Sequence, residues 1–230
     1  MIKLMRLELK KFNIRPYLIA TCISFLIILI SGFTFPLIGK ATNDPTFLAY
    51  DNIFRTMILF LFMFLCIQSV AMASKFVIEE YNGKKKYILH TYPVDRKKVL
   101  MAKSILISTY SLLSFVVSGA LFVTVYSFVA PLLKVVQGTV DASLIYNTAV
   151  NSIPLAVIIS VFFLVPVLVG FKKSSVPAVF VTSITLIILI GNTIGIANTF
   201  IVSAILGAVV FVVSSLCNVI ILNIVHKEEV

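Results

Sequence analysis

Long apolar stretches dominate this sequence and restrict it to a membrane fold. A helix rises about 1.5 Å per residue, so about 20 apolar residues are needed to cross ~30 Å of hydrocarbon. Only 12% of the residues are charged, roughly half the share usual in soluble proteins. The sequence therefore predicts an all-α, polytopic membrane protein with six transmembrane helices in one membrane domain, residues 1–230. The six predicted spans are residues 17–38, 54–74, 104–130, 153–171, 176–194 and 200–225.

Lysine and arginine are distributed unequally between the two sets of span ends. Sixteen of the nineteen lie at one alternate set of ends, and the other set holds only Lys40, Arg55 and Lys134. Basic residues are retained on the cytoplasmic side of a membrane protein. We therefore expect a multi-pass protein of the cell membrane with both termini in the cytoplasm.

Ionisable side chains are nearly absent from the six spans. Arg55 is the exception, and it follows Asp51 by one helical turn, as expected for an interfacial anchor with a weak surface pair. Ion-coupled carriers place charged side chains at membrane depth. The three cysteines, Cys22, Cys66 and Cys217, lack the spacing of metal ligands. The pattern disfavours ion-driven transport and predicts no metal site.

The first residues of the chain have the pattern of a helix that lies along the membrane surface. Ile2, Met5, Leu9 and Phe12 recur at helical spacing, and basic residues occupy the other faces. This predicts an interfacial helix over residues 1–15 that contacts membrane lipids. A disordered tail that only sets topology is the alternative.

The connection between the second and third spans, residues 77–103, carries the most specific pattern in the chain. Gly83 offers a turn, residues 84–91 can form a short helix, and Pro93 ends it. Asp95 is placed to cap the helix that enters the third span. A solvated basic loop that only sets topology is the alternative interpretation.

This connection resembles the first cytoplasmic loop of permease subunits in type 2 ABC exporters, a family that serves drug, peptide and polysaccharide export. Lys84 and Tyr92 depart from the family pattern, which often has a threonine after the glycine and an aliphatic residue before the proline. The residues that match in order are Glu79, Glu80, Gly83, Leu89, Pro93, Arg96 and Lys103.

The resemblance implies a coupling helix that docks into a groove on a cytoplasmic ATPase subunit, with Glu79 and Glu80 near its hinge. Lys84, Lys85 and Lys86 would contact acidic ATPase surface or anionic lipid. The predicted coupling residues are Glu79, Glu80, Gly83, Lys84, Lys85, Tyr87, Leu89, Tyr92, Pro93 and Arg96.

The sequence contains no GxxxxGK[ST] phosphate-binding loop. The chain is therefore not expected to be an enzyme or to bind a cofactor directly, and ATP and Mg are expected on the partner ATPase. The resemblance implies two ATPase subunits and a second permease subunit, identical or homologous. No nucleic-acid partner is predicted.

Uncharged polar residues in the spans are candidates for a substrate pathway, and Gln68 in the second span is the leading one. The predicted pathway residues are Gln68, Ser69, Thr182 and Asn192. Hydrogen bonding between helices is the alternative role for such residues. The apolar spans favour export of an amphipathic substrate such as a peptide, an antibiotic or a lipid-like compound.

Two other functions compete with export. Glu79-Glu80 followed by Lys84 is similar to the EExxxR motif of membrane endopeptidases, but His90 and His226 both lie outside the spans and cannot complete a metal site. A membrane immunity or regulatory protein that binds a toxin or partner without transport is the remaining alternative.

Prolines and one long connection mark possible irregularities. Pro154, Pro166 and Pro177 lie in or beside the fourth and fifth spans, where each removes a backbone donor and permits a kink. Residues 131–152 are expected to form a surface loop, a cap or a short re-entrant turn.

Overall fold

The computed structural model describes residues 13–42, 48–79, 96–133, 136, 140–173, 175–197 and 199–227. Helices account for nearly all of these residues, and the described part of the chain contains no β-strand, only an isolated bridge residue at Ala49. The α-helices are α1 Arg15–Thr42, α2 Tyr50–Ala73, α3 Arg96–Leu133, α4 Ala142–Val161, α5 Leu164–Lys173, α6 Val176–Ala197 and α7 Phe200–Lys227. A π-helical turn, Ser74–Ile78, continues α2.

Within the described ranges, six helical crossings are long and apolar enough to span a membrane, and α4 and α5 together form the fourth. The prediction of an all-α, six-span protein is confirmed. Successive crossings run in opposite directions. One end of the bundle therefore gathers Arg15, Lys75, Lys172 and Lys173 and is called the basic end below. The other is called the opposite end.

Several predicted spans are shorter than the helices that the structure shows. The helix α3 has 38 residues, which corresponds to about 57 Å and exceeds the hydrocarbon thickness. The loop or re-entrant turn expected over residues 131–152 is wrong for residues 131–133, which end α3, and for residues 142–152, which form the first part of α4. The polar composition of residues 142–152 is typical of a loop, but these residues continue the helix of the fourth crossing beyond the predicted span.

The fourth crossing breaks at Phe162 and Phe163, between α4 and α5. Proline 166 lacks the N–H that would bond the Phe162 carbonyl, and its ring crowds that carbonyl. Backbone bonds resume on both sides, from Phe162 to Ile158 at 2.9 Å and from Val167 to Phe163 at 3.1 Å. Pro154 lies within the uninterrupted α4, and Pro177 lies in the first turn of α6. Only Pro166 of these three coincides with a break.

The helix α2 occupies the centre of the bundle. In its most apolar stretch 61% of the residues are buried, against 17% in α1. It packs against α1, α3, α4 and α6. Because it touches so many neighbours, a displacement of α2 cannot occur without rearranging most of the bundle.

A backbone carbonyl in α1 is satisfied by a side chain from α3. Pro36 lies inside α1 and cannot donate to the carbonyl of Gly32, four residues earlier. The hydroxyl of Tyr126 donates to that carbonyl at 3.0 Å. Gly32 also permits the close approach, because a Cβ there would lie 3.1 Å from Phe122 and 3.4 Å from Tyr126. Gly32, which has no side chain, and Pro36, which has no N–H, thus allow Tyr126 to pack against α1 and to donate to its backbone.

Aromatic rings extend this contact to α2. The ring of Tyr126 lies 5.4 Å from Phe122, 5.7 Å from Phe54 and 6.3 Å from Tyr50, measured between centroids. Phe33 of α1 completes the group at 5.0 Å. Edge-to-face and stacked pairs at these distances add to the energy of apolar burial. The cluster joins α1, α2 and α3 in the half of the bundle toward the opposite end.

Replacement of Tyr126 by Phe is expected to destabilise the protein by about 1 kcal/mol, because the Gly32 carbonyl loses its donor inside the bundle while the ring contacts remain. The midpoint of thermal unfolding in detergent should fall by about 2–4 °C. Tyr146→Phe is the matched control, because Tyr146 is exposed. Equal midpoints for the two variants would contradict the role given to the Tyr126 hydroxyl.

Candidate functional site

The basic end of α2 is the point from which the chain leaves the bundle toward the predicted coupling segment. Here the α-helix widens into the π-helical turn Ser74–Ile78, and the N–H of Glu79 donates to the carbonyl of Ser74. Phe76, Val77 and Ile78 are buried in this turn, whereas Lys75 and Glu79 are exposed. π-Helical turns are rare and concentrate at functional sites. We call Ser74–Ile78 the hinge turn.

A buried lysine of α3 holds the hinge turn. The ammonium of Lys103 donates to the carbonyl of Phe76 at 3.0 Å, and the lysine is only 1% exposed. Burial of a charged group is unfavourable unless it is hydrogen-bonded, so this side chain is kept where it has acceptors. The bond joins the two helices on either side of residues 80–95.

Lys103 is a functional candidate whose burial the sequence prediction missed. Its place in the polar connection predicts a solvated side chain, because a lysine close to a span end normally extends to water. The sequence of α3 has too little helical periodicity to have identified it, and the buried stripe becomes visible only in the structure. Leu100, Ile107, Ser111 and Phe115 are buried at helical spacing, and Lys103 falls on the same stripe.

The first helix meets the hinge turn through Tyr17. The rings of Tyr17 and Phe76 make an edge-to-face contact at 5.4 Å. Two turns deeper in α2, the side-chain nitrogen of Gln68 lies 2.6 Å from the carbonyl of Tyr17, 2.8 Å from the Thr21 hydroxyl and 3.1 Å from the Tyr110 hydroxyl. The hydroxyls of Thr21 and Tyr110 are themselves 2.8 Å apart. This polar cluster joins α1, α2 and α3 near the basic end.

The fifth and sixth helices reach the hinge turn from the other side. A Cβ at Gly170 of α5 would overlap Val179 of α6 and lie 3.0 Å from Cδ1 of Ile78. Only glycine therefore allows α5 to pack this closely. The hinge turn is in contact with α1, α3, α5 and α6, and a movement of it reaches all of them.

Most of the predicted coupling residues lie outside the described part of the chain, and their assignment stays a prediction. Glu79 is exposed at the end of the hinge turn, and Arg96 begins α3. Residues 1–12, which hold most of the predicted interfacial helix, also lie outside the described ranges. The coupling residues outside them are Glu80, Gly83, Lys84, Lys85, Tyr87, Leu89, Tyr92 and Pro93.

The four predicted pathway residues occupy different environments. Gln68 and Ser69 are buried in α2. Thr182 is partly buried and its hydroxyl donates to carbonyls of its own helix, α6, while Asn192 is exposed near the end of that helix. These contacts do not bring the four side chains together, and their role in a pathway stays a prediction.

Within the described ranges, no three or more His, Cys, Asp or Glu side chains group in a way that could hold a metal ion. The three cysteines are free thiols, with Cys22 exposed and Cys66 and Cys217 buried.

Comparison with known proteins agrees with this architecture. The family model described as ABC-2 family transporter protein matches residues 4–192. The chain is 26% identical to the uncharacterized protein YcbO of Bacillus subtilis (strain 168) over 190 residues, which cover 83% of each chain. No solved structure matches it. The resemblance predicted from residues 77–103 is confirmed, and the chain belongs to the ABC-2 transporter family, whose members are non-catalytic membrane transport subunits that work with ABC ATPases.

Proposed function

We propose that this chain is the membrane-spanning subunit of an ATP-driven exporter. The complete transporter would contain a second permease, identical or homologous, and two ATPase subunits that bind ATP and Mg. The observation that supports this best is the position of the hinge turn. It joins α2 directly to the predicted coupling segment. The crossing formed by α2 is the most buried of the described crossings, at 61% of its most apolar stretch.

The proposed mechanism follows from the contacts of the hinge turn. Closure of the ATPase dimer pushes on residues 80–95, and Glu79 receives that displacement at the end of the turn. The helices α2 and α3 flank the same segment. The hydrogen bond from Lys103 to the Phe76 carbonyl makes them move together. Contacts at Tyr17 and Gly170 carry the displacement to α1 and α5. Alternating access then results from repacking around α2.

The charge distribution supports a cytoplasmic basic end. Among the described residues, Lys40 and Arg55 lie at the other end, and nine basic residues lie at this one: Arg15, Lys75, Arg96, Lys97, Lys98, Lys103, Lys172, Lys173 and Lys227. In this proposal both termini and residues 80–95 are cytoplasmic, in the cell membrane.

The proposed cargo is amphipathic, such as a peptide, an antibiotic or a lipid-like compound. Apolar helix faces accept an apolar part of such a cargo, and uncharged polar groups accept its polar part. Gln68, Ser69, Thr182 and Asn192 are the proposed pathway residues. Because Gln68 is bonded to α1 and α3 in this conformation, it would reach cargo only after that polar cluster opens.

Photo-crosslinking tests the proposed partner and the topology together. A benzophenone amino acid at Tyr87, in the coupling segment, is expected to crosslink to an ABC ATPase in native membranes, because that segment would lie in the ATPase groove. The matched control is the same amino acid at Tyr146, which is exposed near the opposite end. Mass spectrometry of the crosslinked product identifies the partner.

An ABC ATPase captured from position 146 would place the opposite end in the cytoplasm and overturn the topology. Capture from position 87 of a different protein, with no ATPase, would favour the non-transporting regulatory function.

Replacement of Lys103 by Met tests the hinge turn. The substitution keeps a long side chain but removes the donor to Phe76, which is worth about 1.4 kcal/mol or tenfold in an equilibrium. We expect ATP hydrolysis by the complex of this chain and its copurified ATPase to fall by about tenfold, because the ATPase is no longer tied to both helices. Lys173→Met is the control, because Lys173 is exposed at the same end.

The amount of assembled complex is measured alongside the hydrolysis rate for both variants. Equal hydrolysis rates at equal assembly would contradict the role given to Lys103.

A further inference from the structure

A small polar cavity of about 70 Å³ opens at the opposite end of the bundle, between α2, α4, α6 and α7. Its two charged lining residues, Asp51 and Arg55, are one turn apart on α2. The uncharged polar lining comes from Thr148, Asn151, Ser152, Thr199 and Ser203. The cavity has no place in the proposed coupling mechanism, which operates at the other end of α2.

The cavity is built from fixed groups. Arg55 donates to the carbonyl of Ile194 at 3.2 Å, in the last turn of α6, where a cation is favoured by the helix dipole. Thr148 and Ser203 are 8% and 7% exposed, and each hydroxyl donates to a carbonyl of its own helix. Since the donors of both hydroxyls are directed to those carbonyls, their oxygens can act only as acceptors toward a ligand.

An apolar groove of about 410 Å³ adjoins this cavity and runs between α3 and α4. Small residues, including Gly119, Ala120 and Ala156, form part of its lining. A Cβ at Gly119 would meet nothing within 4 Å, so the groove is open at that point. The groove and the polar cavity share three lining residues, which are Ile58, Thr148 and Ser152.

A ligand that fits both spaces has a polar head and an apolar chain. In a membrane the groove itself cannot select a ligand strongly, because lipid tails are as apolar as the groove walls. Selection must therefore come from the head. One basic and one acidic group, on successive turns of α2, complement a head that carries one charge of each sign. A head with only a negative charge would be attracted by Arg55 and repelled by Asp51.

We propose that the cavity and the groove together bind one zwitterionic phospholipid. The phosphate lies at Arg55, since a guanidinium recognises phosphate well. The ammonium lies at Asp51, and one acyl chain runs along the groove past Gly119. This site requires neither ATP nor a second subunit and goes beyond the proposed transport function.

Native mass spectrometry of the full chain, titrated with phosphatidylethanolamine or with phosphatidylglycerol, tests the site. We expect the zwitterionic lipid to bind about fivefold more tightly, which is the ratio that one partly exposed ion pair provides. Asp51→Asn should remove this preference, because the head then meets only Arg55. Gly119→Phe should reduce binding of both lipids about tenfold, since the new ring fills the groove.

Ala208→Phe is the control for added bulk, because Ala208 is exposed on α7 and lines neither space. Thermal unfolding midpoints establish that each variant is folded. Equal affinity for the two lipids, or a preference for phosphatidylglycerol, would overturn the head-group assignment. Unchanged binding in folded Gly119→Phe would overturn the groove.

Discussion

Backbone carbonyls inside a membrane have no water to bond, and the structure depends on how this chain satisfies them where its helices are irregular. Three irregular places receive a side-chain donor from the same helix, α3. Tyr126 donates to α1 near Pro36, and Lys103 donates to the hinge turn that ends α2. Ser108 donates at 2.5 Å to the carbonyl of Ser160, just before the break between α4 and α5. The third helix therefore fastens three of its neighbours.

This arrangement gives the two ends of the bundle different characters. At the opposite end, the contact of Tyr126 with Gly32 is surrounded by aromatic rings, which pack in few ways. At the basic end, the polar cluster of Gln68 and the bond of Lys103 depend on hydrogen bonds that neighbouring groups can exchange. Aromatic packing suits a part of the bundle that stays rigid, and exchangeable hydrogen bonds suit a part that moves. The proposed hinge and the proposed lipid site are thus separated along α2 by packed aromatic and aliphatic side chains.

The sequence allowed correct prediction of the crossings, because hydrophobic length is a local property. It was less informative about helix ends. The polar composition of residues 142–152 predicts a loop, yet they form the first part of α4. The π-helical turn was not predicted either, since its residues, Ser74–Ile78, have no composition that distinguishes them from an α-helix. The sequence permits prediction of a helix break at Pro166. Pro154 lies within an uninterrupted helix, so a proline alone does not determine whether a helix breaks.

The class of this protein can be read from the amino-acid sequence. The number of spans, the grouping of basic residues at alternate ends and the family of the chain all follow from local composition and a short motif. Which polar residues contact one another depends on how the helices pack. Gln68, proposed as a pathway residue, is bonded between three helices, and Lys103, placed in a polar connection, is buried against Phe76. The reason is physical, because a side chain's partner is set by the packing of helices far apart in the sequence.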